Sequence, residues 1–422
     1  MKKILLAIAA IIALGACSKK DDPEPTPVPP TTAQRTVLVY MSGENSLSRS
    51  YDSSTGQYYS FLAEDLDELL EGSYQLSSNQ HLIAFIDSIG TGNTPHIVEI
   101  ANGKATEVYR YTDEFSAADP DKFSEVVQWT IDNYPAKDYG LVLWGHATGW
   151  AISTDTVKVN KTRAYGQDNG NDSGSSQKWM NITQLARALE TLPHFKFIFA
   201  DCCCFQCIES AYELRKTADY LIGSPAEIPG EGAPYKELAP LFFSESGTFY
   251  KDICDAYYKE YLDGYPKDPY YNYLAGYSVP MSAIDLNQMD ALAEATAKVM
   301  KTFVPQWPAE LDLSGMPFYF AYDKPVMYDT KSVIHKHAAE SDYKEWLAAY
   351  NKAVPYQLVS RRWMTEYNSI YNNFDQFPSD DAVWGCTSMF FPQNNYANAT
   401  YQYNQRISQM QWYYAVAWSS YF

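Results

Sequence analysis

Four cysteines crowd into one short segment where an apolar strand gives way to a helix. Residues 195–209 read FKFIFADCCCFQCIE, and the run FKFIFA is typical of a strand buried on both faces of a parallel sheet. From Phe205 onward apolar residues recur at helical spacing, which predicts a strand-to-helix turn over residues 201–204. A thiol beside a helix N-terminus is stabilised as a thiolate by the unpaired N–H groups there. The pattern therefore predicts a nucleophilic cysteine in this turn.

A histidine follows a second strand in the same way. Residues 141–144 (LVLW) are another buried-strand run, and Gly145 and His146 come directly after it. The carboxyl ends of parallel strands lie along one edge of an open sheet, where sites form in the crevice outside that edge. If the two strands are neighbours, the imidazole of His146 and the thiols converge.

The rest of the chain alternates between strand and helix patterns, which predicts a parallel sheet covered on both faces. The predicted strands are 36–41, 82–86, 141–144, 195–200, 220–223 and 383–391. The first predicted helix has Leu62 and Leu70 on its apolar side and Asp65 on its polar side. Further helices are predicted at 121–133, 288–303, 342–350 and 401–417.

Several segments resemble motifs of the clostripain-like cysteine peptidases, relatives of caspases and gingipains. LVLWGHATGW resembles their histidine motif, and FADCCCFQCIESAYEL resembles their Asp-x-Cys motif with its following helix. The likeness continues, in the family's order, through TVLVYMSGENSL, SPAEIPGEGAPY, SVPMSAIDLNQMDAL and WGCTSMFFP. The resemblance implies a cysteine-type endopeptidase with a caspase-like α/β/α sandwich, a mostly parallel central sheet and a C-terminal mixed α/β supporting domain.

The resemblance also implies roles for individual residues. His146 and Cys203 become the catalytic pair, because the family places its nucleophile two positions after the acid of the motif, here Asp201. The backbone N–H groups of Cys203 and Ala147 become the oxyanion donors. Ala147 departs from the glycine usual after the histidine and restricts positive φ. Asp201 and Glu231 become the acids of a pocket for Arg or Lys before the scissile bond.

The family commonly matures by cutting itself between the histidine and the nucleophile. That interval holds the insertion 151–179, which contains Lys158, Lys161, Arg163 and the run DNGNDSGSS. This composition is typical of a surface loop. We predict self-cleavage after Lys161 or Arg163.

No cofactor or metal site is predicted. Asp168, Gly170 and Asp172 suggest calcium weakly, but they lack the further ligands, the glycine and the distal glutamate of an EF-hand loop. Some members of the resembled family need calcium, so that requirement stays open. The net charge of −19 argues against a nucleic-acid partner, because no basic stripe is available to neutralise phosphates.

The N-terminus predicts export and attachment to a membrane. Residues 1–16 carry two lysines and then an apolar run too short to be a lasting membrane anchor, which is typical of a signal peptide. The end of this run, LGAC, resembles a bacterial lipobox and predicts lipid attachment at Cys17. Residues 17–34 predict a disordered Pro-rich tether. The protein is therefore expected in the bacterial cell envelope, lipid-anchored to the outer membrane, with its surface exposure undecided.

The remaining chain is predicted to divide into a peptidase core at 35–240 and a supporting domain at 241–422. Its expected partners are peptides or proteins with Arg or Lys before the scissile bond, and the membrane through the lipid.

Two other functions fit parts of the sequence. Cys204 and Cys207 form a C-x-x-C at a strand-to-helix turn, as in a thioredoxin-like redox centre, although this leaves His146 without a role. Zinc binding by the cysteines is less favoured, because no second ligand pair has suitable spacing. The 36 Tyr and 10 Trp residues would suit a glycan-binding surface lipoprotein, although aromatic residues more often fill cores.

Overall fold

The structure of the chain is a computed structural model. It describes residues 32–53, 55–90, 92–151, 165–170, 178–264, 277–303, 311–321, 325–360, 362–365, 370–373, 383–393 and 402–420.

The strands within these residues are β1 Ala33–Gly43, β2 Ser50–Asp52, β3 Gln57–Tyr59, β4 Gln80–Ser88, β5 His96–Ala101, β6 Lys104–Arg110, β7 Ala136–Trp144, β8 Tyr165–Asp168, β9 Lys178–Met180, β10 Phe195–Asp201, β11 Ala218–Gly223, β12 Met281–Asp285, β13 Phe318–Ala321, β14 Pro325–Asp329, β15 Tyr356–Leu358, β16 Arg362–Thr365, β17 Ile370–Asn373 and β18 Ser388–Met389. The α-helices are α1 Phe61–Ser73, α2 Pro120–Asn133, α3 Ile182–Glu190, α4 Ile208–Leu214, α5 Tyr235–Leu241, α6 Phe249–Gly264, α7 Met289–Phe303, α8 Thr330–His337, α9 Glu340–Ala353, α10 Tyr403–Ile407 and α11 Gln411–Ala415.

A nine-stranded sheet organises the molecule, with the strand order β15-β12-β11-β10-β7-β1-β4-β5-β6. The five central strands from β11 to β4 pair in parallel. The strands at both edges are antiparallel. The prediction of a mostly parallel central sheet is confirmed, and the edge hairpin β5-β6 was not predicted.

The sheet separates two hydrophobic cores, as its alternating side chains require. On β1, Leu38 and Tyr40 face one core, which also contains Phe123 of α2 and Ile208 of α4. Val39 faces the other core, together with apolar residues of α1, α5 and α6. Helices therefore cover both faces of the sheet, and the predicted α/β/α sandwich is confirmed.

Strands β7 and β10 are neighbours, which is the condition for the predicted site. Their parallel register pairs Trp144 with Asp201. His146 and Cys203 each lie two residues beyond this pair, so their loops leave the same edge of the sheet side by side.

Two predicted elements in the C-terminal half are shorter than expected. Only Ser388–Met389 of the predicted strand 383–391 forms a strand. Before it, Cys386 adopts a left-handed conformation with φ of 46°, which interrupts the extended backbone. The predicted helix 401–417 is interrupted between α10 and α11. At this break the N–H of Gln411 donates to the carboxylate of Glu213 at 2.5 Å, so a side chain from α4 caps a new helix.

The C-terminal half also contributes to the main sheet, through β12 and β15. Its other strands form a three-stranded sheet β13-β14-β18 and a two-stranded sheet β16-β17. Thr32–Phe422 form one compact unit, and the predicted boundary at residue 240 stays a prediction. No helix among the described residues is both long and apolar enough to cross a membrane.

Candidate functional site

The turn after β10 takes an irregular path before α4 begins. Cys204 has a left-handed backbone with φ of 55°. Its N–H and that of Gln206 donate to carbonyls in the loop 224–226, at 2.8 and 3.0 Å. These bonds tie the segment to that loop, and α4 starts only at Ile208. The prediction that the helix begins at Phe205 is therefore wrong by three residues, and the stabilisation of the Cys203 thiolate by the helix N-terminus stays a prediction.

The four clustered cysteines differ sharply in exposure. Cys202, Cys204 and Cys207 are 0% exposed, whereas Cys203 is partly exposed. Burial raises the pKa of Cys202 well above its ordinary value and that of Cys207 to about 12. Cys203 is therefore the member of the cluster that a substrate can reach, and the buried pair Cys204 and Cys207 offers no thiol to a redox partner.

The sulfur of Cys203 lies against the loop that follows β11. The backbone N–H of Ile228 donates to Sγ across 3.5 Å. A hydrogen bond to the charged form of a group favours that form, so this N–H supports the thiolate.

His146 is held by two loops that the sequence did not connect with it. Its Nε2 lies 3.2 Å from Oγ of Ser46 in the loop after β1. Its carbonyl accepts a hydrogen bond of 2.9 Å from the N–H of Gly166 in β8. Gly145 turns the chain with φ of 141°, and a Cβ there would lie 3.1 Å from the carbonyl of Ser42. Ser46 was not identified from the sequence as a contact of the histidine.

His146 and Cys203 line one open cavity of about 610 Å³. Asp201 lines the same cavity, so the structure brings these three predicted residues together. The remaining walls come from the loops after β1, β7 and β11 and from β16, through Leu47, Trp144, Gly145, Glu227, Ile228, Pro229, Gly230, Gly232 and Met364.

The carboxylate of Asp201 is buried at the edge of this cavity. It accepts hydrogen bonds from the hydroxyls of Tyr235 and Tyr257, at 2.8 and 2.9 Å, and from the N–H of Ala233 at 3.2 Å. Burial raises the pKa of Asp201 to about 6, while these hydrogen bonds act in the opposite direction. The group is therefore charged at neutral pH and neutral in mild acid.

A second carboxylate, that of Asp65, lies beside Asp201. The expected position of Asp65 on the solvent side of α1 is wrong, because it is 2% exposed and accepts a 2.5 Å hydrogen bond from the indole of Trp144. Burial and the charge of Asp201 raise the pKa of Asp65 well above its ordinary value. Gly232 packs on both acids: a Cβ there would lie 3.0 Å from Asp201 and 3.2 Å from Asp65, at φ of 67°.

Glu231 and Ala147 do not line the cavity of Cys203. Glu231 is exposed and lines an adjoining cavity of about 440 Å³ with Glu68 and Glu260, outside the cavity of Cys203. Gly232 lines both cavities. Ala147 is buried and is not among the described residues with positive φ, so alanine fits the backbone there. The roles predicted for these two residues stay predictions.

Other predicted residues lie outside the described part of the chain. They are the lipidation candidate Cys17, the self-cleavage candidates Lys161 and Arg163, and the neighbouring Lys158.

The profile of the clostripain family, peptidase family C11, matches residues 39–422. The chain belongs to the clostripain family. Members are cysteine peptidases, so the protein is a hydrolase and its family explains the accessible thiol better than a redox or glycan-binding role does. No significant match is found among curated proteins.

Three solved structures of this family are similar over nearly the whole chain. A secreted C11 cysteine protease from Bacteroides thetaiotaomicron, in complex with an irreversible peptide inhibitor, is 28% identical with a TM-score of 0.74, covering 92% of this chain and 100% of that one. An inactive zymogen C11 protease from Parabacteroides distasonis is 24% identical with a TM-score of 0.70, covering 92% and 99%. The secreted C11 cysteine protease iotapain, also from B. thetaiotaomicron, is 19% identical with a TM-score of 0.67, covering 92% and 100%. The last two support the fold, and the first also supports cysteine peptidase activity.

Proposed function

We propose that the protein is an endopeptidase that cleaves after Arg or Lys, with Cys203 as nucleophile and His146 as its acid-base partner. The observation that carries the proposal is the shared cavity, which joins the accessible thiol, the histidine and the buried carboxylate of Asp201.

The proposed reaction proceeds through an acyl-enzyme. The thiolate of Cys203, supported by the Ile228 N–H, attacks the peptide carbonyl carbon and forms a C–S bond. His146 gives a proton to the leaving amine as the C–N bond breaks, and then accepts one from the water that hydrolyses the thioester. The hydroxyl of Ser46 holds the imidazole in place during both steps. The N–H groups of Cys203 and Ala147 are the proposed donors to the oxyanion.

The buried carboxylate of Asp201 gives the cavity a preference for a cation. The carboxylate of Asp201 has three protein donors and keeps capacity for a further one. A guanidinium or ammonium group that enters the cavity would form a charge-assisted hydrogen bond with it. Glu231, Glu68 and Glu260 extend the acidic surface beyond Gly232.

A panel of reporter peptides ending in Arg, Lys, Asp or Leu tests the specificity. We expect kcat/KM for the Arg and Lys peptides to exceed that for Leu by roughly 100-fold, because only a cationic side chain forms a charge-assisted hydrogen bond with the buried carboxylate of Asp201. The Asp peptide should be the poorest substrate, because it brings a like charge. A similar rate for all four peptides, or a preference for Asp or Leu, would contradict the basic specificity.

The protein is further proposed to cut itself after Lys161 or Arg163. Both residues suit a basic-specific site and lie in the insertion between His146 and Cys203. Mass spectrometry of the incubated protein should show two fragments with a new N-terminus at residue 162 or 164. A Lys161→Ala/Arg163→Ala variant should stay intact, and so should a Cys203→Ala variant incubated alone. Wild-type protein that stays intact on prolonged incubation while it hydrolyses peptides would rule the proposal out.

We also propose that the mature protein is held in the cell envelope by lipid at Cys17. The support is the LGAC sequence and the Pro-rich segment that follows it. The relative from B. thetaiotaomicron is described as secreted, which agrees with export.

A further inference from the structure

Three acids from separate segments of the chain meet close to the loops that hold the histidine. Glu44 follows β1, Asp87 lies near the end of β4, and Asp168 ends β8. One carboxylate oxygen of each lies within 4.8 Å of the others. The three residues are 1%, 0% and 2% exposed, so solvent does not screen their charges.

Most of these buried oxygens have no protein partner. Oε1 of Glu44, both carboxylate oxygens of Asp87 and Oδ2 of Asp168 accept no hydrogen bond from the described residues. Oδ1 of Asp168 accepts one of 2.9 Å from the N–H of Gly170. No described Lys, Arg or His forms an ion pair with any of the three. Buried carboxylates without a counter-charge are costly, and a bound cation is one of the two ways to remove that cost.

The other way is protonation of the acids, which does not give every carboxylate oxygen of the cluster a hydrogen-bond partner. Burial, followed by Asp168 and Asp87, raises the pKa of Glu44 to about 9, so Glu44 can carry a proton and donate it to Asp168. Burial and Asp168 also raise the pKa of Asp87, against a smaller effect of the Ala117 N–H. A single proton shared between Glu44 and Asp168 adds no hydrogen bond to Asp87, whose two oxygens keep only the weak effect of the Ala117 N–H.

We propose that Glu44, Asp87 and Asp168 bind one hard divalent cation, Ca²⁺ or Mg²⁺. The ligand atoms are all carboxylate oxygens, which these ions prefer, and the set contains no nitrogen or sulfur that would favour zinc. Oxygens around one Ca²⁺ lie about 2.4 Å from it, so two of them are at most about 4.8 Å apart, which the cluster satisfies. This site shares Asp168 with the 168–172 pattern considered in the sequence, but its other two ligands, Glu44 and Asp87, come from distant segments.

The site connects the two loops that hold His146. Glu44 is two residues before Ser46, which contacts the imidazole, and Asp168 is two residues after Gly166, which binds the histidine carbonyl. The N–H of Asn169 donates to the carbonyl of Glu44 at 2.9 Å, so the loops already touch. A cation shared by Glu44 and Asp168 would fix both supports of the histidine, and its removal should loosen them. The binding site itself does not depend on the proposed role of His146.

Calorimetric titration with CaCl₂ or MgCl₂, together with thermal unfolding, tests this proposal. The full chain carrying Cys203→Ala is stripped with EDTA, so that self-cleavage cannot alter the protein during the measurement. We expect binding of one ion per chain and a rise in Tm of roughly 5 °C when the ion is present at about 100 times its Kd. Comparison of the two salts identifies the preferred ion. Failure of both to bind, with an unchanged Tm, overturns the proposal.

Two variants locate the ion. Asp87→Asn and Glu44→Gln should each weaken binding at least about 10-fold and abolish most of the rise in Tm. Asp329→Asn is the matched control, because Asp329 is an equally buried acid whose oxygens accept hydrogen bonds from Ser332, Tyr319 and Gly385. It should lower the Tm of the stripped protein but leave the response to the ion unchanged. Undiminished binding in both cluster variants would place the ion elsewhere and overturn the proposal. If a variant does not fold, the titration of the stripped parent protein still decides whether an ion binds.

Discussion

Replacement of Cys203 by alanine is expected to abolish hydrolysis of the reporter peptides, with a fall in kcat of at least about 10⁴-fold. The reason is that the acyl-enzyme route is lost with the sulfur, and no other thiol of the cluster reaches the cavity. The measurement is single-turnover hydrolysis of the Arg reporter at matched enzyme concentrations.

Cys202→Ala is the matched control for this prediction. Cys202 is the adjacent cysteine, is fully buried, and does not line the cavity. Its replacement should lower the Tm by a few degrees through a small void, but keep kcat within about threefold of the wild type. Substantial hydrolysis by Cys203→Ala, or equal losses in both variants at equal stability, would show that Cys203 is not the nucleophile.

Replacement of Asp201 by asparagine is expected to lower kcat/KM for the Arg and Lys reporters by roughly 100-fold, and for the Leu reporter by much less. Loss of the charged partner of a buried cation costs about 2–5 kcal/mol of binding free energy, and each factor of ten in kcat/KM corresponds to about 1.4 kcal/mol. The ratio of Arg to Leu rates is the informative quantity, because a general loss of structure would lower both rates together. An unchanged ratio would mean that Asp201 is a structural acid.

The pH dependence of kcat/KM tests the role of Asp201 independently. Because burial raises the pKa of Asp201 to about 6, the carboxyl becomes neutral as the pH falls through about 6, and kcat/KM for the Arg reporter should fall there. The hydroxyl of Tyr257 stabilises the charged form. Tyr257→Phe should therefore raise the pKa further and move this fall to higher pH for the Arg reporter, with no matching shift for the Leu reporter.

The central sheet could be predicted from the sequence because its strands are continuous apolar runs that end in polar turns. The runs at 141–144 and 195–200 predicted two buried parallel strands, and the structure makes them neighbours. The resemblance to the clostripain family then identified His146 and Cys203, which share a cavity. A local sequence pattern predicts the position of a residue along its own strand or helix.

The residues that were missed depend on partners far away in the chain. Asp65 follows the polar pattern of an amphipathic helix, but it is buried beside Asp201 and Gly232 and accepts a hydrogen bond from the indole of Trp144 in β7. The start of α4 is delayed by hydrogen bonds to a loop that follows another strand. Glu44, Asp87 and Asp168 carry no common motif, because they come together only when β1, β4 and β8 reach the same edge.

The pairing of β7 with β10 also determines what becomes of a nicked molecule. A cut after Lys161 or Arg163 divides the protein into two pieces, of which the first keeps β1, β4 and β7 and the second keeps β10, β11 and β12. The seam between the pieces then runs through the middle of the sheet, along a ladder of parallel backbone hydrogen bonds with apolar residues on both sides. Such a heterodimer needs no disulfide to stay together, and it should migrate as one particle under native conditions and separate only when the sheet is denatured.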